Sequence, residues 1–414
     1  MRAGSARTGG KLVTTEPIHL GEEFLQDPHQ LYTRLRADVA VAPALLPHGL
    51  RVWIVSRYDD AKAALADPRL LKNSVRQQEL SARQAAETNS VPVITEFLNS
   101  HMLNTDPPDH TRLRELVNKA FTSRRVAGLR PRMAEIAGRL LDAMPSDGVV
   151  DLLEALAYPL PITVICELLG VPEGDRSDFR AWSATLLNTG VSDADLAAAS
   201  TAMVSYIDDL VAAKEKAPGE DLISALVEAR ESGDRLSSGE LRAMVFVLLV
   251  GGHETMVNLI GNGTLALLNN PAQLAALRAD PSLLPAAIEE FLRYEGPVNF
   301  ATFRFTDEEV TIGGVTVPEG EFVVIALASA NRDAARFPDA DSVDIGRSTA
   351  RHLAFGHGVH YCVGAHLARA QAEVAFGQLI ARFPSMTLAV DPAELTWRHS
   401  TLMRGLESLP IRLG

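Results

Sequence analysis

One of the two cysteines, Cys362, lies in a glycine-rich segment that suits a thiolate. The segment covers residues 352–369 and reads HLAFGHGVHYCVGAHLAR, with Gly356, Gly358 and Gly364 close to the cysteine. Glycines let the backbone fold around a sulfur and direct N–H groups at it, and the helical pattern that follows places a positive dipole end there. Both effects lower the pKa of a thiol. On composition alone, a buried inert cysteine is the commoner alternative.

A second group of reactive side chains interrupts a long apolar helix pattern. Ser237 and Glu240 have the spacing of a capping box, and the helical pattern that they open runs to about Asn269. Residues 251–255 in its middle read GGHET, where glycines and buried polar groups cost stability. Such a violation is typical of a functional site, since an acid beside an alcohol can relay protons. A kink filled by structural water is the alternative.

The order of residues in both segments resembles cytochrome P450. The loop matches the haem-binding loop of that family at Phe355, Gly356, Gly358, His360, Cys362 and Gly364, and the helix matches its oxygen-binding groove at Gly251, Gly252, Glu254 and Thr255. The resemblance implies that Cys362 is the axial ligand of the iron of haem b. It also implies that Phe355 packs under the sulfur, and that Thr255 and Glu254 assist the protonation that dioxygen activation requires. Gly251 stands where alanine is commoner.

Charged residues match further elements of the same family. Glu290 and Arg293 lie one helical turn apart, which alone is usually a solvated surface pair. The resemblance implies that Arg347 joins this pair in a buried structural network. His110 and Arg114 share a helical face that suits an anionic edge, although an exposed basic turn is the alternative. The resemblance implies that both bind haem propionates together with Arg304 and His360.

The position of several segments relative to these motifs predicts a substrate pocket. Its mainly apolar lining indicates a bulky, poorly charged molecule. The residues expected to line it are Leu103, Val247, Leu248, Val298, Asn299, Phe300, Leu402 and Met403.

A basic stretch between Thr111 and Arg132 contrasts with the acidic whole. It contains one acid, Glu115, and the basic residues Arg112, Arg114, Lys119, Arg124, Arg125, Arg130 and Arg132. A solvated helix face explains such a pattern, but the resemblance implies a docking surface for a small acidic iron–sulfur protein. Because the chain has no flavin or nicotinamide fingerprint, we expect electrons from NAD(P)H to arrive through a ferredoxin and its reductase.

Composition bounds the remaining possibilities. The 414 residues are 47% hydrophobic and 22% charged, which predicts a folded globular chain. The net charge of -13 argues against nucleic acid or an anionic membrane as a partner. Two cysteines exclude a disulfide scaffold and an all-cysteine metal site within one chain. No run of about 18 apolar residues occurs, so we expect a monomeric cytoplasmic protein.

The periodicity predicts one large, mainly α-helical domain with small antiparallel β-sheets. The resemblance implies that this domain has the cytochrome P450 fold. Residues 1–20 are expected to be a flexible tail and residues 21–414 the monooxygenase domain. A strand at 52–55 and a helix at 58–66 are followed by a weak pattern to about residue 99, which is either a lid or a surface connection. Residues 310–327 read as three strands of one small antiparallel sheet.

The resemblance implies a monooxygenase that inserts one oxygen atom from dioxygen into a C–H bond of a macrolide or polyketide. Epoxidation, phenol coupling and direct use of peroxide are alternatives within the family. A non-catalytic haem sensor or binding protein is the alternative from another class.

Overall fold

Helices make up most of the structure, a computed structural model that describes residues 16–88, 101–121, 123–188, 190–231, 236–348 and 351–414. The α-helices over these residues are α1 (Glu22–Gln26), α2 (His29–Asp38), α3 (Tyr58–Ala66), α4 (Ser74–Thr88), α5 (Asp109–Ala120), α6 (Ser123–Asp142), α7 (Pro159–Leu169), α8 (Arg176–Leu186), α9 (Asp193–Lys216), α10 (Leu222–Glu231), α11 (Ser238–Leu268), α12 (Pro271–Ala279), α13 (Leu284–Tyr294), α14 (Leu327–Ala330) and α15 (Ala365–Arg382).

The strands form three sheets. They are β1 (Ile18–His19), β2 (Val41–Leu45), β3 (Arg51–Val55), β4 (Leu70–Leu71), β5 (Val149–Asp151), β6 (Arg304–Thr306), β7 (Val310–Ile312), β8 (Val315–Val317), β9 (Phe322–Ile325), β10 (Thr387–Leu388) and β11 (Pro410–Arg412). The largest sheet has the order β1-β2-β3-β9-β6-β4, a second has β10-β11-β5, and β7 pairs with β8 alone.

The largest sheet corrects the expected strand pairing. β7 and β8 form the predicted hairpin, but β9 leaves it and pairs with β3 in parallel and with β6 in antiparallel fashion. The pair β1–β2 is parallel too, so the sheets are not all antiparallel. All four residues of β9 are buried, which makes it a central strand rather than a hairpin edge.

The boundary of the predicted tail is also corrected. Residues 1–15 lie outside the described part, but Ile18 and His19 pair with Ala44 and Leu45, and Leu20 is buried. The folded domain therefore begins before residue 21. The region of weak pattern after Ala66 contains α4, so its part up to Thr88 is neither a loop nor a plain surface connection. Residues 89–100, where a lid was the other expectation, lie outside the described residues.

The central helix forms as its sequence predicts. The Ser237 hydroxyl accepts the N–H of Glu240, and the Glu240 carboxylate accepts the N–H of Ser237, so both ends of the capping box are made. α11 packs against α7, α13 and α15 in the largest apolar core. Two described helices, α9 and α11, are long and apolar enough to cross a membrane, but 72% of the apolar window of α11 is buried inside the protein. That position is typical of the core helix of a soluble protein.

A buried ion network lies between α13 and the segment after α14. Arg293 donates to both carboxylate oxygens of Glu290 at 2.7 Å, and the Nε of Arg347 lies 3.3 Å from that carboxylate. Arg293 also donates to the carbonyls of Asn331, Ala340 and Ser342. Glu290 and Arg293 are fully buried, so the pair is a structural network and not a solvated surface pair.

Candidate active site

The cysteine loop is shaped by left-handed glycines before α15. Gly356 and Gly358 both have φ of 73°, a conformation that side chains with a Cβ rarely adopt. The N–H of Cys362 donates to the carbonyl of Phe355, and Gly364 precedes the first turn of α15 as its N-cap. Cys362 is accessible because it lines a large cavity. The sequence-predicted loop therefore forms and presents its sulfur to an internal space.

Burial raises the pKa of the Cys362 thiol, and the N–H of Gly364 and the charges of Arg114 and Arg369 only partly offset that effect. The expected lowering of this pKa is thus wrong for the polypeptide by itself. The reason is that desolvation of the anion outweighs one N–H group and two nearby cations. A metal cation at the sulfur would supply the missing stabilisation of the thiolate.

One edge of the cavity, the cationic edge, gathers basic side chains. The His110 and His360 rings lie 4.3 Å apart, and neither nitrogen of His110 nor Nδ1 of His360 has a hydrogen-bond partner among the described residues. Burial and the charge of Lys72 lower the pKa of His360 to about 2, and burial lowers that of Arg304 to about 10. The structure thus brings His110, Arg114, Arg304 and His360 together.

Lys72 belongs to the same edge, although sequence analysis did not identify it. Its side chain is 1% exposed and donates to the Thr302 hydroxyl, while its backbone N–H is bound by the carboxylate of Asp106. Burial and the charge of Arg304 lower its pKa well below the usual value. A lysine directly after the apolar strand β4 was the available signal, because that register directs it inward.

The cavity fits a haem group. The protein atoms leave about 1390 Å³ free, part of it continuous with solvent, between the Cys362 loop, α11 and the cationic edge. Buried nitrogens without partners are costly, and two propionate carboxylates would satisfy them. The residues that could hold the group are Cys362 at the iron and Lys72, His110, Arg114, Arg304 and His360 at the propionates. Phe355, Gly356 and Gly364 line the cavity on the cysteine side.

Gly251 and Gly252, which are adjacent in α11, have different roles. A Cβ at Gly251 would meet nothing within 4 Å, so this position leaves space in the cavity. A Cβ at Gly252 would lie 2.6 Å from Cδ1 of Ile165, so this glycine permits the close approach of α7. Thr255 lines the cavity and its hydroxyl donates to the Gly251 carbonyl at 2.8 Å. The hydroxyl is thereby held with its oxygen beside the cavity.

Glu254 does not line the cavity, unlike its neighbour Thr255. Its Oε2 accepts from Arg398 at 2.6 Å, and its Oε1 lies 3.2 Å from Nε2 of His253. Burial alone would raise the pKa of Glu254, but His253 and Arg398 outweigh it and hold this pKa at about 2. Arg398 comes from the segment before β11, so sequence distance concealed it.

Half of the residues predicted for the substrate pocket line the cavity. Leu103, Val247, Leu248 and Val298 line the cavity, together with Met102, Ile165, Met256 and Ala301. Asn299, Phe300, Leu402 and Met403 do not line it. Asn299 binds the Tyr32 hydroxyl at 2.7 Å, and Phe300 stacks on Phe24 with ring centroids 5.8 Å apart. Leu402 and Met403 instead bond the backbone of the 298–299 segment.

The basic stretch is partly neutralised by acids. Arg112 binds Glu240, Arg130 binds Glu373, and Arg132 binds Glu167 at 2.8 Å. The side chains of Lys119, Arg124 and Arg125 lie outside the described residues. Near the cysteine, by contrast, two apolar side chains are exposed, Val359 by 53% and Tyr361 by 40%.

Comparison with known proteins agrees with this site. Residues 196–395 match the family model for Cytochrome P450. The chain is 55% identical to Cytochrome P450 107B1 of Saccharopolyspora erythraea over 393 residues, 95% of this chain and 96% of that protein. It is 50% identical to Cytochrome P450 monooxygenase PikC of Streptomyces venezuelae over 95% of this chain and 92% of that one.

Among solved structures, the tirandamycin C-bound P450 monooxygenase TamI superposes with a TM-score of 0.91 at 51% identity, covering 96% of this chain and 100% of that one. The sequence identity extends over nearly the whole length of both chains. The cysteine loop and the cationic edge also fit haem, in agreement with the same fold family. The chain belongs to the cytochrome P450 family and is a monooxygenase.

Proposed function

We propose that this enzyme hydroxylates a bulky, mainly apolar polyketide-type secondary metabolite, with Cys362 as the iron ligand. The single observation that carries the proposal is an accessible sulfur in a left-handed glycine loop, opposite an apolar wall and beside a row of buried cations. Haem supplies the oxidative chemistry with dioxygen, and the protein supplies the ligand, the dry pocket and the protons. TamI was solved with tirandamycin C bound, which supports the substrate class.

The protein's own contributions follow from the placement of its side chains. Lys72, His110, Arg114, Arg304 and His360 would anchor the propionates by charge-assisted hydrogen bonds. The apolar wall at Val247, Leu248 and Val298 would exclude water and hold an apolar substrate. Thr255 would hold a proton-carrying hydroxyl at the cavity, with Glu254 as the acid behind it.

Replacing Cys362 tests the assignment of the ligand. We expect Cys362→Ala to abolish the strongly red-shifted carbon monoxide band of haem-thiolate proteins, because no other cysteine reaches the cavity. Cys166→Ala is the matched control, since Cys166 is a fully buried core residue whose pKa burial raises to about 12. Retention of the band in Cys362→Ala, or its loss in Cys166→Ala alone, would refute the ligand assignment.

We further infer that electrons originate from NAD(P)H and reach this cytoplasmic enzyme through a ferredoxin. The exposed Val359 and Tyr361 next to Cys362 favour docking at this face, because exposed apolar and aromatic side chains are typical of protein contacts. Val359→Asp should lower the rate constant of reduction by a ferredoxin roughly tenfold without changing the spectral response to substrate.

Val149→Asp is the control for that experiment, because Val149 is 51% exposed but lies in β5. Equal effects of the two aspartates on reduction would contradict docking at the cysteine face.

A further inference from the structure

Glu289 of α13 holds the guanidinium of Arg369, from α15, at two points. Its Oε1 accepts from Nε of Arg369 at 2.6 Å, and its Oε2 accepts from Nη2 at 2.9 Å. Nε2 of His352 lies 3.0 Å from the same Oε2, and the Glu289 side chain is only 22% exposed. A two-point contact between a carboxylate and a guanidinium fixes the plane of the arginine as well as its position.

The Phe355 ring supports the same guanidinium. Cζ of Arg369 lies 4.5 Å from the ring centroid, within the range of a cation–π contact. Phe355 lines the cavity together with Cys362, and its carbonyl accepts the N–H of Cys362 at 2.9 Å. Arg369 is thereby held against the residue that binds the backbone of the cysteine.

Both members of the Glu289–Arg369 pair are ionised at neutral pH. Burial would raise the pKa of Glu289, but Arg369 and His352 outweigh it and hold this pKa at about 2. An arginine keeps its charge at any physiological pH, and the hydrogen bonds to Glu289 raise the pKa of Arg369 further. The cation therefore has a fixed place beside the cysteine loop.

The charge of Arg369 acts on the Cys362 sulfur. Burial raises the pKa of this thiol, and the charges that oppose burial are those of Arg114 and Arg369. The two arginines differ in position, because among the described residues the cavity lining includes Arg114 but not Arg369. Arg114 can therefore bind a carboxylate inside the cavity, whereas the charge of Arg369 reaches the sulfur through the protein.

We propose that Arg369, positioned by Glu289 and Phe355, raises the reduction potential of the iron that Cys362 binds. One added electron makes the iron and its thiolate ligand together more negative by one charge. A fixed cation nearby stabilises that reduced state more than the oxidised one. This inference rests on the proposed function, since it requires Cys362 as the iron ligand.

Substitutions of Arg369 test the effect on the potential. Arg369→Gln and Arg369→Met both remove the charge, and only the first can still donate to Glu289. We expect each to lower the equilibrium constant for reduction of the iron about tenfold, which is about 59 mV for a one-electron couple. Arg369→Lys keeps a cation at this place and should retain most of the wild-type potential, although an ammonium group cannot bind bidentately. The measurement is a spectroelectrochemical titration of the purified haem-loaded enzyme without substrate or redox partner.

Arg382→Gln is the matched control. Arg382 carries the same charge in the last turn of the same helix and pairs with Asp142, with side chains 54% and 63% exposed. It lies about 20 Å farther along α15 than Arg369, so its removal should leave the potential unchanged. A fall as large as that in Arg369→Gln would contradict a specific role of Arg369.

The positioning by Glu289 is tested by a double-mutant cycle. Without the carboxylate, the guanidinium loses its two-point contact and can turn toward solvent. The effect of Arg369→Gln on the potential should therefore shrink when it is measured in a Glu289→Gln background. A shift as large as that in the wild-type background would show that Glu289 does not position Arg369.

Two further readouts separate the possible failures. A wild-type carbon monoxide band without the strong red shift would refute Cys362 as the ligand, and the proposed function with it. If that band is present, an unchanged potential in both neutral variants refutes only the effect of Arg369. Slower reduction by a ferredoxin at an unchanged potential would assign Arg369 to docking instead.

Discussion

Lys72 is a buried lysine, and among the described residues no carboxylate binds its ammonium group. Its Nζ contacts the neutral Thr302 hydroxyl, and Asp106 binds its backbone rather than its side chain. An ammonium so placed destabilises the polypeptide alone, and becomes favourable when an anion such as a propionate reaches it. The same residue should therefore have opposite effects on the free and the haem-loaded protein.

Lys72→Met tests that reversal. We expect it to raise the free energy of unfolding of haem-free protein by about 1–3 kcal/mol, because a desolvated charge is removed. We also expect haem to transfer to an excess of apomyoglobin about tenfold faster, because one charge-assisted hydrogen bond worth roughly 1.5–3 kcal/mol is lost. Lys216→Met, at an exposed position in the last turn of α9, should change neither quantity. A change of both stabilities in the same direction would contradict the role of Lys72.

At the scale of single residues, the sequence was sufficient to identify those that belong to continuous motifs. The Cys362 loop, Thr255 and Arg114 line the cavity, and His110 contacts His360 at its edge, because each motif folds locally. Sequence reasoning missed Lys72, whose only local signal is its place directly after β4. It could not find Arg398, which meets its partners only after distant segments come together. For the same reason it assigned Asn299 and Phe300 to the pocket, whereas Tyr32 and Phe24 hold them elsewhere.

The close contact between α11 and α7 depends on the absence of a Cβ at Gly252. Ile165 of α7 occupies the space that a side chain at position 252 would need, with its Cδ1 and Cγ1 at 2.6 and 2.7 Å from that point. Position 251, one residue earlier, faces open space. The two adjacent glycines thus form a matched pair for substitution.

Gly252→Ala should destabilise the enzyme by about 1–3 kcal/mol in chemical denaturation, because overpacking exceeds the gain of roughly 1 kcal/mol in helix propensity. Gly251→Ala should be neutral or stabilising by up to about 1 kcal/mol. Adding Ile165→Val to Gly252→Ala should recover part of the loss, since it removes Cδ1. Additive effects of these two substitutions would show that the contact does not determine the cost.

Elements with local signals were predictable. The helix Tyr58–Ala66 begins and ends where the pattern placed it, and the capping box sets the start of α11. The pairing of β9 was not predictable, because a buried strand between two turns has the same sequence pattern as the third strand of a meander. Its true neighbour β3 lies about 270 residues earlier, beyond the reach of periodicity.

At the scale of the whole molecule, several buried carboxylates stabilise the fold in their anionic form. Burial favours their acid forms, but paired cations outweigh it: Arg369 and His352 hold the pKa of Glu289 at about 2, and His253 and Arg398 do so for Glu254. His29, Arg332 and Arg404 lower the pKa of Glu295 in the same way. Since these pKa values lie below the usual 4.5, the stabilisation is complete above that pH and is lost as pH falls toward 2.

We expect the free energy of unfolding to fall steeply between pH 5 and 3. Each of Glu254 and Glu289 should contribute on the order of 3 kcal/mol to that fall. Glu289→Gln should flatten the pH dependence measured by urea unfolding, whereas Glu135→Gln, which removes an exposed partner of Arg132, should leave it nearly unchanged. A pH profile of Glu289→Gln parallel to that of the wild type would contradict this account.

The parallel pairing of β3 with β9 also orders events during biosynthesis. Val55 cannot meet Ile325 until more than three quarters of the chain has left the ribosome. The apolar strands near the amino terminus therefore have one unpaired edge while the helical core is still being synthesised. Nascent chains of this enzyme should accordingly depend on chaperones that shield open strand edges, and truncation before residue 322 should yield aggregates rather than a smaller folded unit.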